Sequence, residues 1–330
     1  MATSSPGKKI FFREAIARAL REEMASDERV IVLGQDVGAF GGAYKEFAGL
    51  FATFGPERVR DTPVAEAGMI GVAVGAAAAG LRPLVNITYM DFLMLGLDPL
   101  VNYAAKARFK TGGRITVPLV VKTTAGAKGQ GVAHSQCIEA WMMGVPGLKV
   151  VAPYTPADAY GLLKTALRDP GPVLFVDHKR LFPTAGEVPT EEFFIPFGQA
   201  GVLREGRHAT IAAHSYTTGL ALAAAAQLET EGISCEVIDL RSLAPLDIAT
   251  IAASASRTGV LVTVEEGQLT CGVGAEIAFQ VREHCDGSLK VARVGPLRAP
   301  VSSNPVLEAA CLPGPDAIRD AVHRLLRGRN

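Results

Sequence analysis

With 330 residues, 48% of them hydrophobic and 20% charged, the chain has enough apolar material for two packed domains, which excludes disorder as its main state. Its 33 Lys and Arg balance 33 Asp and Glu, so no net field draws in nucleic acid or an anionic membrane. The longest uncharged apolar stretch, Met69 to Leu81, is rich in Gly and Ala and short of the roughly 18 residues of a membrane span, so a soluble protein is expected.

The five cysteines, Cys137, Cys235, Cys271, Cys285 and Cys311, are odd in number and unclustered, which argues against a disulfide framework or a zinc site. A polar start, Met1 to Lys9, precedes no apolar signal core. A reducing cytoplasm is the expected location.

In chain order, apolar residues from Phe12 through Ile16, Leu20 and Met24 recur at helical spacing, and Val30 to Leu33 predict a buried strand ending at Gly34. Further short β-branched runs follow at Pro83–Ile87, Val117–Val121, Leu148–Val151 and Val173–Val176. Because helical patterns separate them, the sheet should be largely parallel. Thr155, Pro156 and Asp158 supply a cap, a first helical residue and an acidic first turn for a helix to about Arg168.

Between His178 and Gly198 periodicity gives way to Pro and Gly, predicting a boundary with domains at 1–185 and 201–330 and a linker at 186–200. A second α/β unit is then predicted. It has strands at His208–Ala213, Ser234–Leu240, Val260–Val264 and Lys290–Val294, and helices at Thr218–Glu229, Asp247–Ala255, Gly274–His284 and Pro315–Leu326.

Two segments could carry chemistry. Glu66 is the only charge between Asp61 and Arg82, at the start of a predicted helix whose Gly71 and Gly75 invite close approach of another backbone. It either complements the helix N-terminus, worth about 0.3–1 kcal/mol, or is a desolvated reactive acid. The glycine-rich loop Gly126–Gln136 follows a strand and includes His134, which either transfers protons near neutral pH or is an ordinary hydrogen-bonded loop histidine. Gly272-Val-Gly274 lacks the third small residue of a dinucleotide fingerprint, since Ile277 stands there, and no phosphate loop, nucleophile elbow or H-E-x-x-H pair occurs.

Taken in order, Leu33-Gly34-Gln-Asp-Val, Gly42-Ala-Tyr-Lys, Asp61-Thr-Pro-Val-Ala-Glu66, Gly80-Leu-Arg-Pro, Tyr89-Met-Asp-Phe92, His134-Ser-Gln, Pro146-Gly-Leu-Lys and Gly272-Val-Gly-Ala-Glu resemble one family. It is the β subunit of thiamine-diphosphate-dependent 2-oxo acid dehydrogenase E1 components, including the acetoin dehydrogenase branch. The resemblance implies an α/β fold of two domains, one pyrimidine-binding and one transketolase C-terminal-like, each with a mainly parallel sheet flanked by helices.

The resemblance further implies site roles. Glu66 would bond N1′ of the aminopyrimidine, Phe92 would stack on that ring with Thr88 and Tyr89 beside it, and His134 would assist substrate protonation or acyl transfer to a lipoyl group. The chain has no Gly-Asp-Gly motif, so Mg²⁺ and the diphosphate would be held by a separate α subunit in an α2β2 heterotetramer, with a lipoyl E2 acyltransferase as further partner. A potassium site would involve Leu119, Ala166, Leu167, Asp169 and Gly171. Gln35, Asn86 and Ala133 depart from the family pattern and bear on the substrate. Two other readings stand: a two-subunit carboligase or transketolase-like enzyme forming acyloins, and an inactive scaffold.

Overall fold

The computed structural model describes residues 7–285 and 287–327; the first six residues of the polar start lie outside them. The chain divides into two compact units, one comprising residues up to Ala125 with Met142–Phe197, the other Gly126–Trp141 with Gly198 onward.

Unit 1 opens with β1 (Lys8–Phe11), α1 (Phe12–Ser26) and β2 (Val30–Gly34), followed by α2 (Leu50–Phe54), β3 (Val59–Asp61), α3 (Glu66–Ala78), β4 (Arg82–Ile87) and α4 (Met90–Leu93). After α5 (Ala107–Lys110) and β5 (Val120–Ala125) come α6 (Glu139–Met143), whose first three residues belong to unit 2, and then β6 (Lys149–Val151), α7 (Pro156–Arg168), β7 (Val173–His178) and β8 (Ala185–Val188). The sheet of this unit runs β6-β7-β5-β4-β2-β3, and every one of these pairings is parallel. β2, β5 and β7 are buried along their whole length, as expected of strands covered on both faces.

The predicted strand at Val117–Val121 is displaced: β5 starts at Val120, because Pro118 has no N–H for a ladder. α7 begins where the sequence places it, in a capping box with Thr155 Oγ1 accepting from Asp158 N at 3.0 Å and Asp158 Oδ2 from Thr155 N at 3.0 Å. The stretch 186–200 is not a featureless linker. Glu187 and Val188 belong to β8, which pairs antiparallel with β1, and residues through Phe197 belong to unit 1.

Unit 2 contains β9 (Gly201–Arg204), β10 (Ala209–Ala213), α8 (Tyr216–Thr230), β11 (Cys235–Asp239), β12 (Ser242–Ala244) and α9 (Ile248–Thr258). It continues with β13 (Val260–Val264), α10 (Val273–Glu283), β14 (Lys290–Val294), α11 (Pro305–Cys311) and α12 (Pro315–Arg327). Its sheet has the order β14-β13-β10-β11-β9, parallel except for β9 against β11. The core packs β10, β11 and β13 against the alanine face of α8 and Ile318, Ala321 and Val322 of α12. All five cysteines are free thiols, and no described helix is long and apolar enough to cross a membrane.

Candidate active site

In unit 1 the strand order reverses at β2, since β3 follows on one side and β4 on the other. The carboxyl ends of β2 and β4 diverge at that switch point, where open parallel sheets bind ligands. Gly34 ends β2, and a Cβ there would lie 2.8 Å from Val37 Cγ1 and 3.0 Å from Asn86 Cβ, so the close approach requires glycine. Asp61, the end of β3, accepts from Gly38 N at 2.8 Å and fixes the loop after β2.

Glu66 is the first residue of α3 and only 6% exposed. Its helix buries Met69, Ile70, Ala73 and Ala77, a stripe at helical spacing that seats the first turn on the protein. Among the described residues its carboxylate has no hydrogen-bond partner. A carboxylate on so little-exposed a residue, with no protein donor, fits a ligand that brings one. Thr88, Tyr89 and Phe92 leave the end of β4, all three partly buried, with the Tyr89 and Phe92 rings 6.5 Å apart and tilted by 58°. The two pieces meet through Gly96: a Cβ there would lie 2.4 Å from Ile70 Cδ1 and 3.3 Å from the Glu66 carbonyl oxygen. Thr88, Tyr89 and Phe92 thus gather just beyond the carboxyl end of β4, and Gly96 brings the chain that follows them against the first turn of α3.

Sequence reasoning passed over two lysines at the same sheet edge. Lys179, fully buried just beyond β7, holds its Nζ 4.7 Å from the centre of the Tyr89 ring. Lys122 on β5 is also fully buried, with Nζ 2.7 Å from Asp177 Oδ2, 3.1 Å from Asn86 Oδ1 and 3.4 Å from Glu46 Oε1. Burial disfavours both charges, yet the two carboxylates hold the Lys122 pKa above its ordinary value, while burial pushes Asp177 up. The signal was available in the strand pattern: a charged residue inside a fully buried parallel strand must have a partner.

His134 lies in unit 2, half-buried on the Gly126–Trp141 excursion. Its loop turns through positive φ at Gly126, Gly129 and Gly131. The loop is not a phosphate cradle, because Ala127 N donates to Glu266 at 2.7 Å and Gly129 N to Glu308 at 2.6 Å. Likewise the weak dinucleotide motif at Gly272–Gly274 is closed by the protein itself: Glu265 accepts from Val273 N at 2.8 Å and Gly274 N at 3.0 Å, where a pyrophosphate would sit. Of the departures, Gln35 is half-buried, Asn86 is tied to Lys122 and Ala133 is exposed.

Leu119, Ala166, Leu167, Asp169 and Gly171 gather at the opposite, amino edge of β5 and β7. The Leu119 carbonyl accepts from Val173 N at 2.8 Å, Ala166 from Asp169 N at 3.3 Å, and Leu167 from Arg82 Nη1 at 2.9 Å. Asp169 Oδ1 accepts from Lys149 Nζ and from Gly171 N, each at 2.8 Å. Neutral oxygens with a second lone pair suit a monovalent cation, although Arg82 and Lys149 already bring positive charge. At that edge a cation can brace the turn but not touch the chemistry at the other end of the strands.

The chain matches the family described as "Transketolase, pyrimidine binding domain" over residues 8–184 and "Transketolase, C-terminal domain" over residues 198–318. It is 46% identical over 330 residues to the mitochondrial pyruvate dehydrogenase E1 component subunit beta-2 of Oryza sativa subsp. japonica, covering 98% of this chain and 88% of that one. To the pyruvate dehydrogenase E1 component subunit beta of Rhizobium meliloti it is 43% identical over 316 residues, 94% and 68% of the two chains. Among solved structures it is similar to a split-gene transketolase described as an inactive β4 tetramer, with TM-score 0.81, 26% identity and coverage of 97% and 99%. Likeness of this degree along both units means that the chain belongs to the pyruvate dehydrogenase-type E1 β subunits, built from the transketolase pyrimidine-binding and C-terminal domains.

Proposed function

We propose that this chain is the half of an α2β2 E1 enzyme that holds the pyrimidine end of thiamine diphosphate, decarboxylates a 2-oxo acid and passes the acyl group to a lipoyl E2 partner. The observation that supports this reading is Glu66, the first residue of α3, only 6% exposed and with no hydrogen-bond partner for its carboxylate among the described residues. The family's Mg²⁺ and diphosphate would be held by the α subunit, since this chain lacks Gly-Asp-Gly. The relatives are named for pyruvate, so a 2-oxo acid is the first substrate to test and acetoin the second.

When bound, the thiazolium supplies a nucleophilic carbon and an electron sink. Glu66 holds or shares a proton at N1′ of the pyrimidine, a task that favours a carboxyl kept from water. Phe92 offers a face for that ring, while Thr88 and Tyr89 exclude water beside it. His134 moves a proton near the substrate oxygen or the lipoyl sulfur. Potassium, where bound at the Leu119–Gly171 cluster, braces the β5–β7 turns. Five free cysteines fit a reducing compartment, and the cytoplasm is the location we propose.

The test is to co-express the chain with an α subunit bearing Gly-Asp-Gly and assay pyruvate and acetoin with a lipoyl domain or an artificial electron acceptor. Turnover by the wild type and a drop of about 10²–10⁴ in Glu66→Gln, with assembly intact, are expected. A variant as active as wild type would remove Glu66 from the mechanism. The likeness to a split-gene transketolase favours acyloin formation as the second reading. Turnover with aldehyde acceptors and none with lipoyl domain would select it, and a wild type that assembles but never turns over would select the scaffold reading.

A further inference from the structure

The surface of unit 1 carries a group of cations that the fold leaves uncompensated. Between Asp98 and Glu139 the sequence has no acid, while Lys106, Arg108, Lys110 and Arg114 fall in α5 and its immediate flanks. All four are exposed, and among the described residues none of them is in an ion pair. By contrast, exposed Arg29 is paired with Asp27 and exposed Arg60 with Glu57. Lys106 Nζ donates to Asn102 Oδ1 at 2.8 Å and Arg114 Nε to the Thr111 carbonyl at 3.0 Å, both neutral acceptors. Asp98 accepts from Asn102 Nδ2 at 2.7 Å and so stands one residue removed from Lys106.

Two aromatic rings share this surface. Phe109 is 92% exposed and Tyr103 56%, and Lys110 Nζ lies 5.7 Å from the centre of the Tyr103 ring. Lys110 N donates to the Lys106 carbonyl at 2.9 Å, which puts the two lysines one helical turn apart, where like charges repel. A glycine cap then ends α5: Gly112 turns at φ 60°, its N–H donates to Phe109 O at 3.1 Å and that of Gly113 to Arg108 O at 2.7 Å. The helical turn and its cap thus fix the backbone that carries all four cations and Phe109.

Like charges side by side and a phenyl ring left in water both weigh against the isolated chain, and a partner that brings carboxylates and an apolar group relieves both. Arginine and aromatic side chains are also the types that concentrate at protein contacts. The chain as a whole is neutral and the patch is confined to one helical turn with its flanks, which suits a short polypeptide segment rather than a nucleic acid strand tracked along an extended basic groove. We infer that Tyr103–Arg114 is a docking surface for an acidic segment of a partner polypeptide, its carboxylates against Arg108, Lys110 and Arg114 and an aromatic or aliphatic side chain on Phe109. The inference does not rest on the proposed catalytic function.

The probe is a fluorescein-labelled random copolymer of glutamate and tyrosine, titrated into the full chain and followed by anisotropy, with polyglutamate and oligouridylate of matched length for comparison. Saturable binding is expected, about tenfold weaker in Arg108→Glu combined with Lys110→Glu, and weakened by added salt. Polyglutamate should bind several-fold more weakly than the copolymer, and Phe109→Ser should erase that difference. Amide hydrogen exchange should slow on binding within residues 103–114. Because these side chains are exposed, the variants should melt as the wild type does; Arg114→Glu, outside the helix, serves as a second variant and should also weaken binding. No saturable binding, an unchanged affinity in both folded charge variants, or protection confined to other residues overturns the inference. Oligouridylate binding more tightly than the copolymer overturns it as well, in favour of a nucleic acid.

Discussion

Lys122 is the residue whose surroundings leave the least freedom. Its ammonium has no exposure and is balanced by Asp177 and Glu46 within 3.4 Å. Replacing it by Met fits the apolar volume near Phe47 and Phe182 but strands two buried carboxylates. Unfolding by urea should show a loss of about 3–5 kcal/mol near neutral pH. The sign with pH follows from Asp177, whose folded pKa lies above its unfolded value near 3.8. Above that value the folded protein binds more protons than the unfolded chain, so Lys122→Met should lose more stability as pH rises and recover part of it on mild acidification. A variant with wild-type stability across that range would show that the cluster contributes nothing.

The same reasoning acts on a whole element at α10. Its first turn is held by Glu265, which is pushed up to about 7 by burial, with His214 opposing. Because the folded value exceeds the unfolded value of about 4.5, the group's contribution is fully present below 4.5 and is lost as pH rises through about 7. The loss amounts to about 3 kcal/mol over that window. Glu265→Gln keeps one acceptor for the helix and removes the titration, so its melting temperature should vary less between about pH 5 and 8 than that of the wild type; parallel curves would contradict this.

Elements with strong local signals were legible in the sequence: the capped α7, and β13, rich in β-branched residues and buried along its length. β3 and β12 were not, because three residues show no period and are held by their neighbours in the sheet. Glu66 stood out as the lone charge at an apolar helix start, but its role, and Phe92 altogether, came only through family resemblance. The Lys122–Asp177 pair joins residues far apart in sequence, so it became visible only when the parallel register of β5 and β7 set them side by side.

At the scale of the molecule, α3 presents Gly71 and Gly75 outward, with nothing within 4 Å of a Cβ built on either. This is the face expected to meet another subunit, so Gly71→Leu should leave the isolated chain folded yet prevent co-purification with its α partner. Normal recovery of the complex would move the interface elsewhere. Exchange of potassium for choline should lower the melting temperature of the assembly by linkage if the Leu119–Gly171 turn holds the ion, and no change would remove it from the account.

In the function proposed for this chain, Glu66 governs the protonation of a bound thiamine ring. The most direct measurement is the rate at which the thiazolium C2 proton exchanges with deuterium in the assembled holoenzyme, followed by quenched-flow NMR. Exchange should slow by about 10²–10⁴ in Glu66→Gln with cofactor still bound. Exchange at the wild-type rate in a saturated variant would contradict it.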